Sequence, residues 1–146
     1  MTLLLLLLAL AAGALLPVQA GINAQLRSAL GSPLAAALVS FLVGTAGLAL
    51  ITLVLRVPIP LQTAWAASAW WQWIGGLVGA VYVLSTIILA PKLGAATLIA
   101  AVVAGQMMAS LVLDQYGLVG FPLHPVSAVR LLGAGLVIAG VVLVQR

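Results

Sequence analysis

The chain reads as long apolar runs broken by short polar or proline-bearing stops. A helix rises 1.5 Å per residue, so about 20 apolar residues cross a ~30 Å hydrocarbon core. Five windows reach that length, at residues 3–22, 34–55, 70–90, 93–113 and 126–144. Their runs of Leu, Ala and Val lack the polar alternation of a membrane barrel. Backbone groups in lipid must pair within their own segment, so the runs are expected to be helices. The pattern predicts an all-α integral membrane protein: five transmembrane helices in a single domain over residues 1–146.

The stops carry their own signals. Gly31-Ser32-Pro33 offers a turn, an N-cap and a first-turn proline for the second helix. Pro58 and Pro60 end that helix, Pro91-Lys92 leaves almost no loop between the third and fourth, and Pro122 and Pro125 frame the last loop. All four Trp lie between Trp65 and Trp73, an aromatic belt at the start of the third span. The first run resembles a signal core, with Val18-Gln19-Ala20 before Gly21 as a cleavage-like site. Its start carries no basic side chain, however, so it is expected to stay as an uncleaved helix.

Composition agrees with the pattern and removes whole classes of function. With 66% hydrophobic and 4% charged residues, and a mean hydropathy of +1.39, the chain could not cover itself against water. Five basic residues against one acidic one sit singly at span ends. They are headgroup anchors, so membrane lipid is an expected partner and nucleic acid is not. One His, one acidic residue and no Cys cannot build a hydrolytic triad, a carboxylate pair or a thiolate site in one chain. A metal site would have to join His124 and Asp114. No enzyme activity, cofactor or metal is expected.

Charge placement changes the picture further. An odd number of spans puts the termini on opposite sides. One side then carries Arg56 and Arg130, and the other carries Arg27, Lys92 and Arg146. The N-terminal amine evens the balance. Lys/Arg bias in short loops sets orientation, and this chain has almost none. It is expected to insert both ways and to pair with an inverted copy of itself.

Polar residues inside spans are costly and usually face a bundle interior or cavity. Gln19 and Asn23 lie four apart on the first helix; Gln106, Ser110 and Asp114 repeat every four on the fourth. The two stripes read either as walls of one polar pathway or as hydrogen-bonding glue between helices. Tyr82 and Ser85 either line a cavity or pack. Trp73 either stacks on a substrate or belongs to the belt. Asp114 is either a coupling carboxylate or the partner of Arg130 across a short loop. His124, between two prolines, reads as a loop residue. Ser40 with Gly44, Gly75 with Gly79, and Gly133 with Gly140 are small-residue faces for close helix packing. They offer more contact faces than five helices need, which favours an oligomer.

Several segments together resemble a known family. They are Pro17-Val18-Gln19 with Ile22-Asn23, Leu30-Gly31-Ser32-Pro33 with Ala35-Ala36, and Ser40-Phe41-Leu42-Val43-Gly44. Trp71-Gln72-Trp73-Ile74-Gly75-Gly76-Leu77-Val78-Gly79-Ala80 adds a third-helix pattern. Gly105-Gln106 with Ser110, Asp114, Tyr116 and Gly117, and Arg130 with Gly133 and Gly140, complete it. Over essentially its whole length the chain is similar to the YdcZ-type inner-membrane exporters of the drug/metabolite transporter superfamily. The resemblance implies a five-helix half-unit, completed to ten helices as an antiparallel dimer in the bacterial inner membrane. It carries over no catalytic residue and names no substrate. Family members often have His where this chain has Gln115, which weakens a proton relay beside Asp114.

Balance, stripes and resemblance converge on a secondary transporter, an exporter of a small neutral or amphipathic metabolite or drug. It would work by alternating access as a dual-topology homodimer. Gln19, Asn23, Trp73, Tyr82, Gln106 and Ser110 are the expected cavity-lining residues, with Asp114 as a coupling group. The rival readings are a small dual-topology ion channel and a non-transporting membrane assembly protein.

Overall fold

The computed structural model describes residues 2–145, and every regular element among them is helical. Helix α1 runs Thr2–Leu30 without a break, well past residue 22, where its apolar window ends. At 29 residues it is about 43 Å long, so its polar last turns extend beyond a hydrocarbon core. It stops at Gly31, whose φ of +69° suits glycine and whose N–H bonds to Arg27 O at 2.9 Å.

Helix α2 (Pro33–Val54) starts as its sequence predicts, with Ser32 Oγ accepting from Ala35 N–H at 3.3 Å and Pro33 in the first turn. Its end is a two-bond Schellman closure. Val57 N–H reaches Thr52 O at 3.0 Å, and Arg56 N–H reaches Leu53 O at 3.1 Å. The left-handed position of that motif normally holds glycine. Here it is Arg56, at φ 52°, at a steric cost of about 1–2 kcal/mol.

The connection to the next span is more structured than its prolines suggest. A short helix α3 (Leu61–Ala67) follows Pro60, then a 3-10 turn, Trp70–Ile74, then α4 (Gly75–Leu93). Pro91 does not end α4 but sits inside its last turn, and the break falls at Gly94, φ +75°. A proline there has no N–H for the carbonyl four residues back, Ile87 O. Arg27 Nη1 donates to that carbonyl at 3.2 Å, so the freed acceptor is satisfied. Helix α5 spans Ala95–Tyr116 and closes on Gly117, φ +60°. Helix α6 spans Ala128–Val144, capped by Ser127 Oγ accepting from Arg130 N–H at 3.3 Å.

Four stretches among the described residues are long and apolar enough to cross a membrane: Thr2–Leu30, Pro33–Val54, Trp70–Leu93 and Ala95–Tyr116. The fifth window does not give a full-length span. Pro122 and Pro125 and the Ser127 cap delay the helix, leaving α6 with 17 residues, Arg130 among them, the short end of the spanning range. Met1 and Arg146, which enter the charge balance, lie outside the described residues.

The chain folds as two compact units. One comprises residues 19–91; the other combines residues up to Val18 with those from Lys92 onward. In the first, Ala36 and Ala37 of α2 meet Val83 and Ile87 of α4, flanked by Leu26, Phe41, Tyr82 and Leu84. The alanines let α2 approach closely, as small residues do where packing rather than water drives association. In the second, α5 packs on α6, and Leu98, Leu111 and Ala134 are buried.

Candidate functional site

Within the first unit, Gln19, Ser40, Phe41, Gly44, Thr45, Leu48 and Val83 line a cavity of about 220 Å³. Gln19 comes from α1, Val83 from α4 and the rest from α2. The periodicity is simple: 40/41, 44/45 and 48 are successive turns of one α2 face. Ser40 and Gly44, predicted as a packing pair, here form a cavity wall. A Cβ built on Gly44 would meet no atom within 4 Å, so its smallness opens space. Thr45 was not a sequence candidate. A single Thr in a Leu/Ala run leaves no hydropathy signal, and only its turn relation to Ser40 and Phe41 could have marked it.

One turn along α1 from Gln19 lies Asn23. It is 3% exposed, and its Nδ2 has no hydrogen-bond partner among the described residues. Buried polar atoms are almost always paired, and an unpaired donor costs about 1–3 kcal/mol. Thr86, also buried, differs: its Oγ1 donates to Val83 O at 2.8 Å within its own helix. Asn23 is therefore the one buried side chain in this unit with an unused donor.

The other expected lining residues fall elsewhere. Tyr82 packs half-buried against the Ala36–Ile87 core. Ser85 is exposed and donates to Val81 O at 2.8 Å. Trp73 makes its contacts within its own segment: its Nε1 donates to Ser68 Oγ at 2.8 Å and its ring lies 5.2 Å from that of Trp65. Gln106 and Ser110 sit on an exposed face of α5, with no side-chain hydrogen bond among the described residues. Gln106 is at mid-helix, where an unmatched amide in lipid is most costly. Of the glycines, Gly79 packs closely within the chain, 3.7 Å from Phe41 Cζ once a Cβ is added. Gly75, Gly133 and Gly140 face open space.

Asp114 is paired with Arg130, whose Nη1 also donates to His124 O at 2.9 Å. His124 N–H bonds to Asp114 O at 2.8 Å. Gln115 Oε1 accepts from Val126 N–H at 2.6 Å. These bonds stitch the loop of residues 117–127 onto the end of α5. Of the two readings of Asp114, a coupling carboxylate or the partner of Arg130, the structure shows the pairing with Arg130. His124 and Asp114 gather no third metal-ligating residue, and among the described residues no group of three such side chains exists.

Four stretches long and apolar enough to cross a membrane, and a small cavity lined by both polar and apolar side chains, define the described residues as those of a multi-pass membrane protein. The comparisons agree. Residues 4–143 match the family described as "Putative inner membrane exporter, YdcZ", and the chain belongs to that family. It is 39% identical over 77 residues to the inner membrane protein YdcZ of Escherichia coli (strain K12), a stretch covering 53% of this chain and 51% of that relative. The chain thus matches about half the length of the relative. No solved structure matches. The protein is a multi-pass inner-membrane protein of a transporter family.

Proposed function

We propose that this chain is a secondary transporter, an exporter of a small neutral or amphipathic metabolite or drug. The observation that carries the proposal is the unpaired, buried Nδ2 of Asn23, one helical turn along α1 from Gln19 of the cavity. A stable membrane protein has little reason to bury an unmatched donor unless an acceptor arrives there. A substrate carbonyl, ether or hydroxyl oxygen is such an acceptor. The cavity is smaller than the ~300–1,000 Å³ of typical ligand sites, which suits a half-site completed by a second copy.

The functional unit we infer is an antiparallel, dual-topology homodimer in which α6 supplies a fifth, short span. Two observations support it. The charge balance leaves orientation undecided, and Gln106 places a mid-span amide on a face of α5 that is exposed within its own unit. An inverted partner would cover that face and generate the inverted repeat that alternating access uses. Asn23→Leu separates this account from an accessory role. The variant should assemble normally yet lose flux in proteoliposomes. Unchanged flux, or no flux from the parent protein across a metabolite panel, overturns it.

A further inference from the structure

The first unit holds a second space that the transport cavity does not explain. A groove of about 690 Å³ runs along the C-terminal half of α2, between Thr45, Leu48, Thr52 and Arg56 and the returning Val57 and Ile59. Thr45 and Leu48 line both this groove and the cavity, so the two adjoin. Among the groove's lining residues Arg56 alone is charged, and its guanidinium has no ion pair or hydrogen bond among the described residues.

The position of Arg56 is costly in a specific way. It occupies the left-handed corner that closes α2, where glycine would fit without strain. A cation near a helix C-terminus gains from the dipole, but one turn earlier it would gain as much in ordinary helical geometry. What the corner adds is a place for Arg56 in the lining of a groove whose other residues are uncharged. Eleven residues separate Thr45 from Arg56, about 16 Å of helix.

Resting on the transporter reading above, we propose that this groove is the outer capture subsite for an amphipathic monoanion. Arg56 binds its carboxylate, sulfonate or phosphate monoester, and the Leu48–Thr52 wall takes its apolar body. Guanidinium matches such oxyanions by paired hydrogen bonds, and a neutral molecule gains nothing from it. The narrowed substrate class is anionic at one end and apolar along its length, passed inward from Arg56 to Thr45.

Two probes with one shared body test this: anilinonaphthalene sulfonate, an anion, and phenylnaphthylamine, its neutral counterpart. Binding is measured to the full-length protein in phosphatidylcholine nanodiscs, with empty nanodiscs subtracted. Arg56→Gln should weaken the anion about tenfold, the scale of one charge-assisted contact at a partly open site, and leave the neutral probe unchanged. Arg56→Lys should keep most of the preference. Arg56→Gly should lose it while raising thermal stability, because the corner strain is relieved. A purely structural Arg56 would instead move both probes together. Equal changes for both probes, or no change for the anion, overturn the proposal while leaving the transporter reading intact. So does an anion preference that vanishes in nanodiscs enriched in phosphatidylglycerol, which would assign the groove to lipid headgroups. Parent protein that binds neither probe overturns the capture subsite, and the transporter reading then stands or falls on the flux measurement.

Discussion

Replacing Asn23 by Leu should make the protein more stable and remove its function. Asn23 is 3% exposed with an unpaired Nδ2. Its burial without a partner costs the folded state about 1–3 kcal/mol. Leucine keeps the branched shape and the number of side-chain heavy atoms without a polar atom, and the greater bulk of its methyls holds the gain within that cost. The expected change is therefore a gain of about 1–3 kcal/mol, with transport lost. Stability bought against function is common where a site is held ready for a ligand. The assay is equilibrium unfolding of detergent-solubilised protein followed by fluorescence of the four Trp, alongside flux in proteoliposomes. A variant that unfolds about 1 kcal/mol more easily would mean that Nδ2 has a native partner, and the reasoning would fail.

Three further outcomes are expected. Gln106→Leu, on an exposed face, should shift unfolding of the solubilised monomer by less than about 0.5 kcal/mol yet abolish flux; unaltered flux removes Gln106 from the pathway. Asp114→Asn should lower stability by about 1 kcal/mol, given a pair only about a quarter to a third exposed. Arg130→Ala should lower it more, since it also loses the His124 carbonyl contact; thermal melts that rank the two the other way contradict the loop account. Two Lys placed beside Pro58 should fix a single orientation and silence the protein unless an oppositely fixed copy is co-expressed, read by C-terminal reporters active on one side only.

Much of the fold was legible because lipid enforces it. Apolar windows had to be helices, and Ser32-Pro33 had to cap one. What escaped the sequence were features set by local geometry instead of hydropathy. Residues 23–30 continue α1 because Gln25, Leu26 and Arg27 are good helix formers, though polar enough to end an apolar window. Pro91 stays helical because Arg27 from another helix satisfies the carbonyl it frees. Helix α3 has seven residues and buries none of them, so periodicity had nothing to register. At the site, Gln19 and Asn23 were visible as a polar stripe, whereas Ser40 and Gly44 looked like packing and Thr45 like nothing. Small residues serve close contact or open space equally well, and only their neighbours decide which. The stripe on α5 was visible too, but its exposure within one chain was not.

The most direct test of the central claim is flux of a metabolite panel through proteoliposomes holding the parent protein, compared with Asn23→Leu in the same lipid. The account predicts saturable, substrate-selective flux at about 1–10³ per second per unit, within the usual range of turnover, absent from the variant. Non-saturating conductance far above that range, or equal flux through both proteins, would contradict it.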